Sequence, residues 1–129
     1  MQKNFKEWHK NKSDIHENKQ RPFFHEQEVW FASLGSNIGF EQDGVGESFL
    51  RPVVIIKKFN NEIFWGIPTT KKNKKGVYYF RFNWGKDNGS SAILSQIRLV
   101  DSKRLFYKIG QISDKDLKEI KKRIISLLE

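Results

Sequence analysis

The chain has 129 residues, no cysteine and a formal net charge of +9. It is long enough for one hydrophobic core, and it can form neither disulfides nor thiolate metal sites. No run of about 18 apolar residues occurs and the N-terminus lacks the apolar stretch of a signal peptide, so no membrane span is expected and the cytoplasm is the expected compartment.

The charge is unevenly spread. Residues 25–50 hold five acids (Glu26, Glu28, Glu41, Asp43, Glu47) and no Lys or Arg, whereas residues 51–86 hold nine bases and the single acid Glu62. A basic middle of this kind suits a polyanion such as RNA, or an acidic protein segment; a solvated lysine-rich surface is the plainer alternative.

Residues 1–25 read as an N-terminal extension. Phe5, Trp8 and Ile15 are sparse apolar points in a polar stretch, weakly helical, and Arg21-Pro22 breaks any helix. Residues 28–34 (EVWFASL) are rich in strand formers and predict a first strand. Residues 35–50, with four glycines and no periodicity, predict a long loop, the kind of segment that carries function. Residues 53–59 and 62–68 predict two strands joined at Asn60-Asn61, a pair tolerant of positive φ. The uninterrupted Val53-Val54-Ile55-Ile56 run predicts burial on both faces.

Residues 71–76 form a polar tip. Residues 77–82 and 91–97 predict further strands, 101–105 a tight turn, and 106–112 a short strand. Ser113, with Asp116 three residues on, predicts the start of a final helix whose apolar face is Leu117, Ile120, Ile124, Leu127 and Leu128. A mainly β chain of five or six short strands with a C-terminal α-helix predicts a small, strongly bent, SH3-like barrel, because short sheets gain by curling or closing their edges.

Candidate chemistry is narrow. His9, His16 and His25 all precede the first strand, so a two-histidine acid–base site would need the arm to fold into a cleft. HExxH, clustered carboxylates at metal spacing and GxxxxGK[ST] do not occur, so neither a metal site nor another cofactor is expected. What remains is Arg51 with the hydroxyl pair Thr69 and Thr70. Arg51 begins one strand of the hairpin and Thr70 ends its antiparallel partner, so pairing brings them to the same end. A guanidinium grips phosphate oxygens bidentately and keeps its charge, which suits transition-state stabilisation better than proton donation. Pairing of Arg51 with a loop carboxylate such as Glu41 is the alternative, and spacing alone does not separate the two. Lys71, Lys72, Lys74 and Lys75 follow directly and could meet phosphates. Trp65, Tyr78, Tyr79, Phe80 and Trp84 could stack bases, with about half of such strand positions expected to face inward.

Five segments occur in one order: EVWFASL at 28–34, Gly39-Phe40-Glu41-Gln42, Arg51-Pro52-Val53-Val54-Ile55, Ile67-Pro68-Thr69-Thr70-Lys71, and LSQIRLVDSKRL at 94–105. Together they resemble the ordered motifs of the MazF/PemK toxins, over roughly residues 26–129. The resemblance implies an SH3-like barrel that dimerises, cleaves single-stranded RNA without a metal, and is neutralised by a cognate antitoxin with an acidic disordered segment. It implies Arg51 and Thr70 as the catalytic pair, acting on a phosphate attacked by the adjacent 2′-hydroxyl to leave a cyclic phosphate. Glu41, Gln42, Thr69, Lys71, Lys72, Lys74, Lys75, Gln96 and Arg98 are the expected substrate-binding residues. The chain departs from the family pattern in three places. Eight residues separate Gln42 from Arg51 where two or three are usual, Ile93 and Ser95 stand where some members carry an arginine and an aspartate, and Thr69 stands where an aliphatic residue is common. The alternative reading is a non-catalytic SH3-like binding module, or an inhibitor of a protein target such as DNA gyrase in the manner of the related CcdB toxins.

Overall fold

The computed structural model describes residues 3–46, 49–84 and 89–129. Its elements are α1 (Phe5–Glu17), β1 (Glu28–Ser33), β2 (Leu50–Lys58), β3 (Ile63–Thr70), β4 (Tyr79–Phe82), β5 (Ser90–Ile93), β6 (Arg98–Asp101), β7 (Leu105–Gln111) and α2 (Asp114–Leu127), with short 3-10 turns at Leu94–Gln96 and Ser102–Arg104. All strand pairs are antiparallel. The sheet runs β4-β5-β3-β2-β1-β7, with β6 also on β3. It is therefore a curled sheet with a C-terminal helix, and among the described residues it does not close, since β4 and β7 do not pair.

The branch at β3 makes the corner. Ile63 to Gly66 pair with β6, while Thr69 and Thr70 pair with β5, and the 3-10 turn of Leu94–Gln96 carries the chain from one partner to the other. The strand expected over 91–97 is thus interrupted, and Arg98–Asp101, of which only Asp101 is expected to belong to an element, a tight turn, forms the sheet member β6. Sequence periodicity cannot report such a split, because the switch of partner happens on β3, a strand whose own pattern is unbroken.

The Val53 to Ile56 run is buried on both faces, as expected. Val54 and Ile56 join Val29, Ile67, Phe82, Leu94, Ile112, Leu117 and Ile120 in the core beneath α2. Val53 and Ile55 join Phe24, Trp30, Leu34, Phe64, Val100 and Leu105 in the core on the other side. Period-two alternation assigns neighbours along the strand to opposite faces.

The hairpin turn differs from the expected positive-φ pair. Neither Asn60 nor Asn61 has φ above zero; instead the Asn60 side chain accepts from the backbone N–H of Glu62 at 2.7 Å and of Ile63 at 3.0 Å. An asparagine can cap a turn with its own side chain as well as by tolerating left-handed backbone. Helix α2 starts as expected, with Ser113 Oγ accepting from Asp116 N at 3.1 Å. Its apolar face is one residue shorter than expected, because Leu128 lies past the last turn and is exposed.

The arm is more ordered than its sparse apolar pattern suggests. α1 covers 13 residues, Asn4 caps it by accepting from Glu7 N at 3.2 Å, and Trp8 is buried. The sequence signals this helix only weakly; tertiary burial of one indole supports it.

Candidate active site

The β2–β3 register, Val53 opposite Pro68 and Val54 opposite Ile67, continues outward to set Arg51 against Thr70 at one end of the hairpin. Here Arg51 meets the long loop. Its Nε donates to the carbonyl of Asp43, Nη1 donates to the carbonyl of Thr69 at 3.1 Å, and Nη2 donates to the Gln42 side-chain oxygen at 2.9 Å when that amide is oriented to satisfy both groups. Burial lowers the Arg51 pKa from its ordinary value and the nearby Asp43 charge opposes that shift; a guanidinium remains cationic at neutral pH regardless. Glu41 does not pair with Arg51. Its carboxylate turns back to accept from Ile38 N at 3.0 Å, closing its own turn.

Arg51 lines a cavity of about 290 Å³ with Thr70, Lys72, Lys74, Tyr79 and Gln96. Three cations and the hydroxyls of Thr70 and Tyr79 converge there, and among the described residues no carboxylate or histidine lines it. The arrangement suits a phosphate: opposite charge, a planar fork and a neutral donor in one concavity. Thr69, one residue earlier, is 1 % exposed and its hydroxyl donates to the Pro52 carbonyl at 3.2 Å. It is withdrawn from the cleft, which corrects its assignment as a substrate-binding residue: strand alternation turns neighbouring side chains to opposite faces. Lys71 and Lys75 are exposed on the same loop, outside this lining.

A second cavity of about 520 Å³ adjoins the first and is lined by Glu41, Gln42, Ser95, Gln96 and Arg98 among others. Gln96 forms the partition between them, its Oε1 accepting from Gln42 N at 2.7 Å and its Nε2 donating to Phe40 O at 3.1 Å. The side chain thereby acts as a short strand partner for the loop. Phe40 borders both cavities and is 100 % exposed. The sequence reading did not weigh this residue, although an aromatic inside a polar, glycine-rich loop is a signal that could have found it.

The other expected stackers are dispersed. Tyr79 lines the cationic cavity. Phe80 lies under the Arg123 guanidinium, 5.0 Å from the ring centroid, Trp84 packs against the core beneath α2, and Trp65 stands edge-on to Phe59 at 5.0 Å. His9, His16 and His25 lie outside the lining of either cavity. Among the described residues, no three His, Asp or Glu side chains gather at metal-binding spacing, and no helix is long and apolar enough to cross a membrane. Glu47 of the acidic loop lies outside the described residues.

Comparison with known proteins bears on this geometry. Residues 25–128 match the family of PemK-like, MazF-like toxins of type II toxin-antitoxin systems. The chain is 32 % identical over 106 residues to an endoribonuclease MazF of Staphylococcus saprophyticus, a match that spans 75 % of this chain and 84 % of that protein. Among solved structures it is similar to MazF of Deinococcus radiodurans, with a TM-score of 0.66 at 16 % identity over 85 % of this chain and 98 % of the other. It is also similar to a mycobacterial endoribonuclease solved with its cognate antitoxin, with a TM-score of 0.59 at 12 % identity over 83 % and 94 %. At these identities the structures establish the shared fold, and the sequence matches establish kinship: the chain belongs to the PemK-like, MazF-like toxins of type II toxin-antitoxin systems.

Proposed function

We propose that this toxin is an endoribonuclease that cuts single-stranded RNA without a metal, and that Arg51 and Thr70 are its catalytic residues. The observation that carries the proposal is the convergence of Arg51, Thr70, Lys72 and Lys74 on one cavity that, among the described residues, no carboxylate or histidine lines. A site built this way works by holding charge rather than by a strong general base.

In the reaction, the ribose 2′-oxygen bonds to the adjacent phosphorus and the bond from phosphorus to the 5′-oxygen breaks. The 2′-hydroxyl proton passes to water and the leaving 5′-oxygen takes a proton from water, giving a 2′,3′-cyclic phosphate and a 5′-hydroxyl. Arg51 offsets the charge that grows on the equatorial oxygens, Thr70 donates its hydroxyl to one of them, and Lys72 and Lys74 hold phosphates. Lys71 and Lys75 add long-range attraction for the strand. Glu41, Gln42, Gln96 and Arg98 edge the adjoining cavity, where a flanking nucleotide is read. The toxin acts in the cytoplasm as a homodimer, and an antitoxin with an acidic disordered segment neutralises it by covering the cationic cleft.

The test is cleavage of varied single-stranded RNAs by the purified protein in EDTA, with product ends identified by mass spectrometry. Cyclic-phosphate ends from wild type, and loss of cutting in Arg51→Ala with an unchanged unfolding curve, are expected. Intact RNAs across the set would sink the nuclease reading and favour a binding module or an inhibitor of a protein target.

A further inference from the structure

The loop that brings Gln42 and Asp43 onto Arg51 contains four glycines between residues 35 and 50, and a glycine-rich loop left to itself samples many positions. In this chain the N-terminal arm holds it. Lys3 Nζ stands 3.0 Å from Asp43 Oδ2 and 3.1 Å from Oδ1, and also donates to the carbonyls of Asn37 and Gly39 at 2.5 and 3.2 Å. The two charged side chains are 16 % and 24 % exposed, so water screens the pair less than an open surface pair. Asp43 is doubly committed: its carboxylate accepts from Lys3 and from Asn37 N at 2.6 Å, while its carbonyl accepts from Arg51 Nε.

The base of the loop is held by Trp8. A Cβ on Gly35, which has φ +78°, would fall 1.9 Å from the indole, so the loop departs over the ring where only glycine fits. Phe49, where the loop returns, lies 5.2 Å from the same ring between centroids, and its carbonyl accepts from Leu34 N at 3.0 Å. The guanidinium of Arg104 sits 5.8 Å from the ring on the toxin body. One indole thus joins both feet of the loop, and one ammonium joins three points along it. These two residues precede the 25–128 family match.

We propose that the N-terminal arm is the device that fixes this loop on Arg51, with Lys3 and Trp8 as positioning residues for RNA cleavage. The proposal rests on the nuclease reading above for its effect on rate. Lys3 acts through Asp43: once its ammonium is gone, the Asp43 carboxylate loses its cation, the carbonyl drifts from Nε, and the fork of Arg51 is no longer aimed.

Full-length wild type, Lys3→Ala and Lys3→Arg decide the matter by amide hydrogen exchange and steady-state cleavage in EDTA. Gln42 N donates to Gln96 and Gly44 N donates to Gly35 O at 2.8 Å, so both amides report whether the loop is held. In Lys3→Ala, exchange at these two amides is expected to speed up about tenfold and kcat to fall about tenfold with KM nearly unchanged. Global unfolding should stay where it is, and Lys3→Arg should restore both readouts. Unchanged exchange in Lys3→Ala, or a kcat equal to or above wild type, overturns the proposal. Wild type that cuts no RNA sinks the nuclease reading instead, and exchange alone then decides whether the arm holds the loop.

Discussion

With its amide turned to present oxygen to the guanidinium, the Gln42 side chain accepts from Nη2 of Arg51 at 2.9 Å, so a residue of the long loop is tied to the start of a buried strand. With Nε on the Asp43 carbonyl and Nη1 on the Thr69 carbonyl, the plane of the fork is fixed before any phosphate arrives. Orientation of this kind is what distinguishes arginine from a mobile ammonium. Arg51→Lys keeps the charge and loses the fork. Cleavage of single-stranded RNA is expected to slow by about 10²-fold or more, with little change in the thermal midpoint. A variant that retains near wild-type turnover would show that charge alone suffices.

The two adjacent threonines should separate cleanly. Thr70→Ala removes a cavity hydroxyl and is expected to slow cleavage about tenfold at constant stability. Thr69→Ala removes a buried hydroxyl bonded to Pro52 O and is expected to cost about 1 kcal/mol of stability with turnover unchanged. Cleavage assays beside urea unfolding check both, and the opposite pattern would mean that Thr69 is the residue at the phosphate.

Lys72 and Lys74 line the cavity with Arg51, whereas Lys75 lies outside the lining. Binding of an uncleavable 2′-O-methyl RNA, followed by anisotropy over a salt series, should show each of Lys72→Ala and Lys74→Ala lowering the log–log slope by about 0.7. Lys75→Ala should change it much less. Equal effects at all three positions would mean a diffuse basic surface rather than a site.

Phe40 is fully exposed between the two cavities. Phe40→Ala is expected to leave the unfolding curve unchanged and to weaken binding of the same RNA by about 1–3 kcal/mol, the range for one stacked base, with Phe40→Trp restoring it. Undiminished affinity in the alanine variant would remove base stacking from its role.

Glu28 sets a pH dependence of stability. Burial raises its pKa, but hydrogen bonds from Trp30 Nε1 at 3.0 Å and His25 N at 2.8 Å, and Lys108 Nζ at 3.1 Å, together outweigh it, so the net shift is below the ordinary 4.5. The His25 ring also faces this carboxylate, with Nδ1 at 3.4 Å. A carboxylate whose folded-state pKa is depressed adds stability that is fully present above the unfolded value and is lost as pH falls through the folded one. Thermal midpoints should therefore decline as pH drops below about 4.5. Glu28→Gln should be less stable near neutrality and show a shallower acid slope; an identical slope would exclude Glu28 as a contributor.

Much of this was legible in the chain. The Val53 to Ile56 run gave a two-face buried strand, Ser113 gave the start of α2, and the hairpin spacing alone put Arg51 and Thr70 at one end. These are local properties, set by period, capping chemistry and antiparallel pairing. The strand β6 was not legible and the helix α1 only faintly so, because each exists through a distant partner: β6 through the first half of β3, and α1 through the niche for Trp8 under Gly35 and Phe49.

The sequence by itself determined the residue types available for chemistry, a guanidinium, two hydroxyls and a lysine run without a placed histidine, together with the hairpin that unites Arg51 and Thr70. Only the tertiary structure decided how they are used. Strand alternation buries Thr69 and leaves Thr70 in the cavity. Folding of the 35–50 segment gives Arg51 to Gln42 and Asp43 instead of Glu41. A helix from the far N-terminus then holds that segment in place. The physical reason is that a side chain's type is local, whereas its partners are chosen by elements tens of residues away, brought near by the burial of apolar surface that neither segment could hide alone.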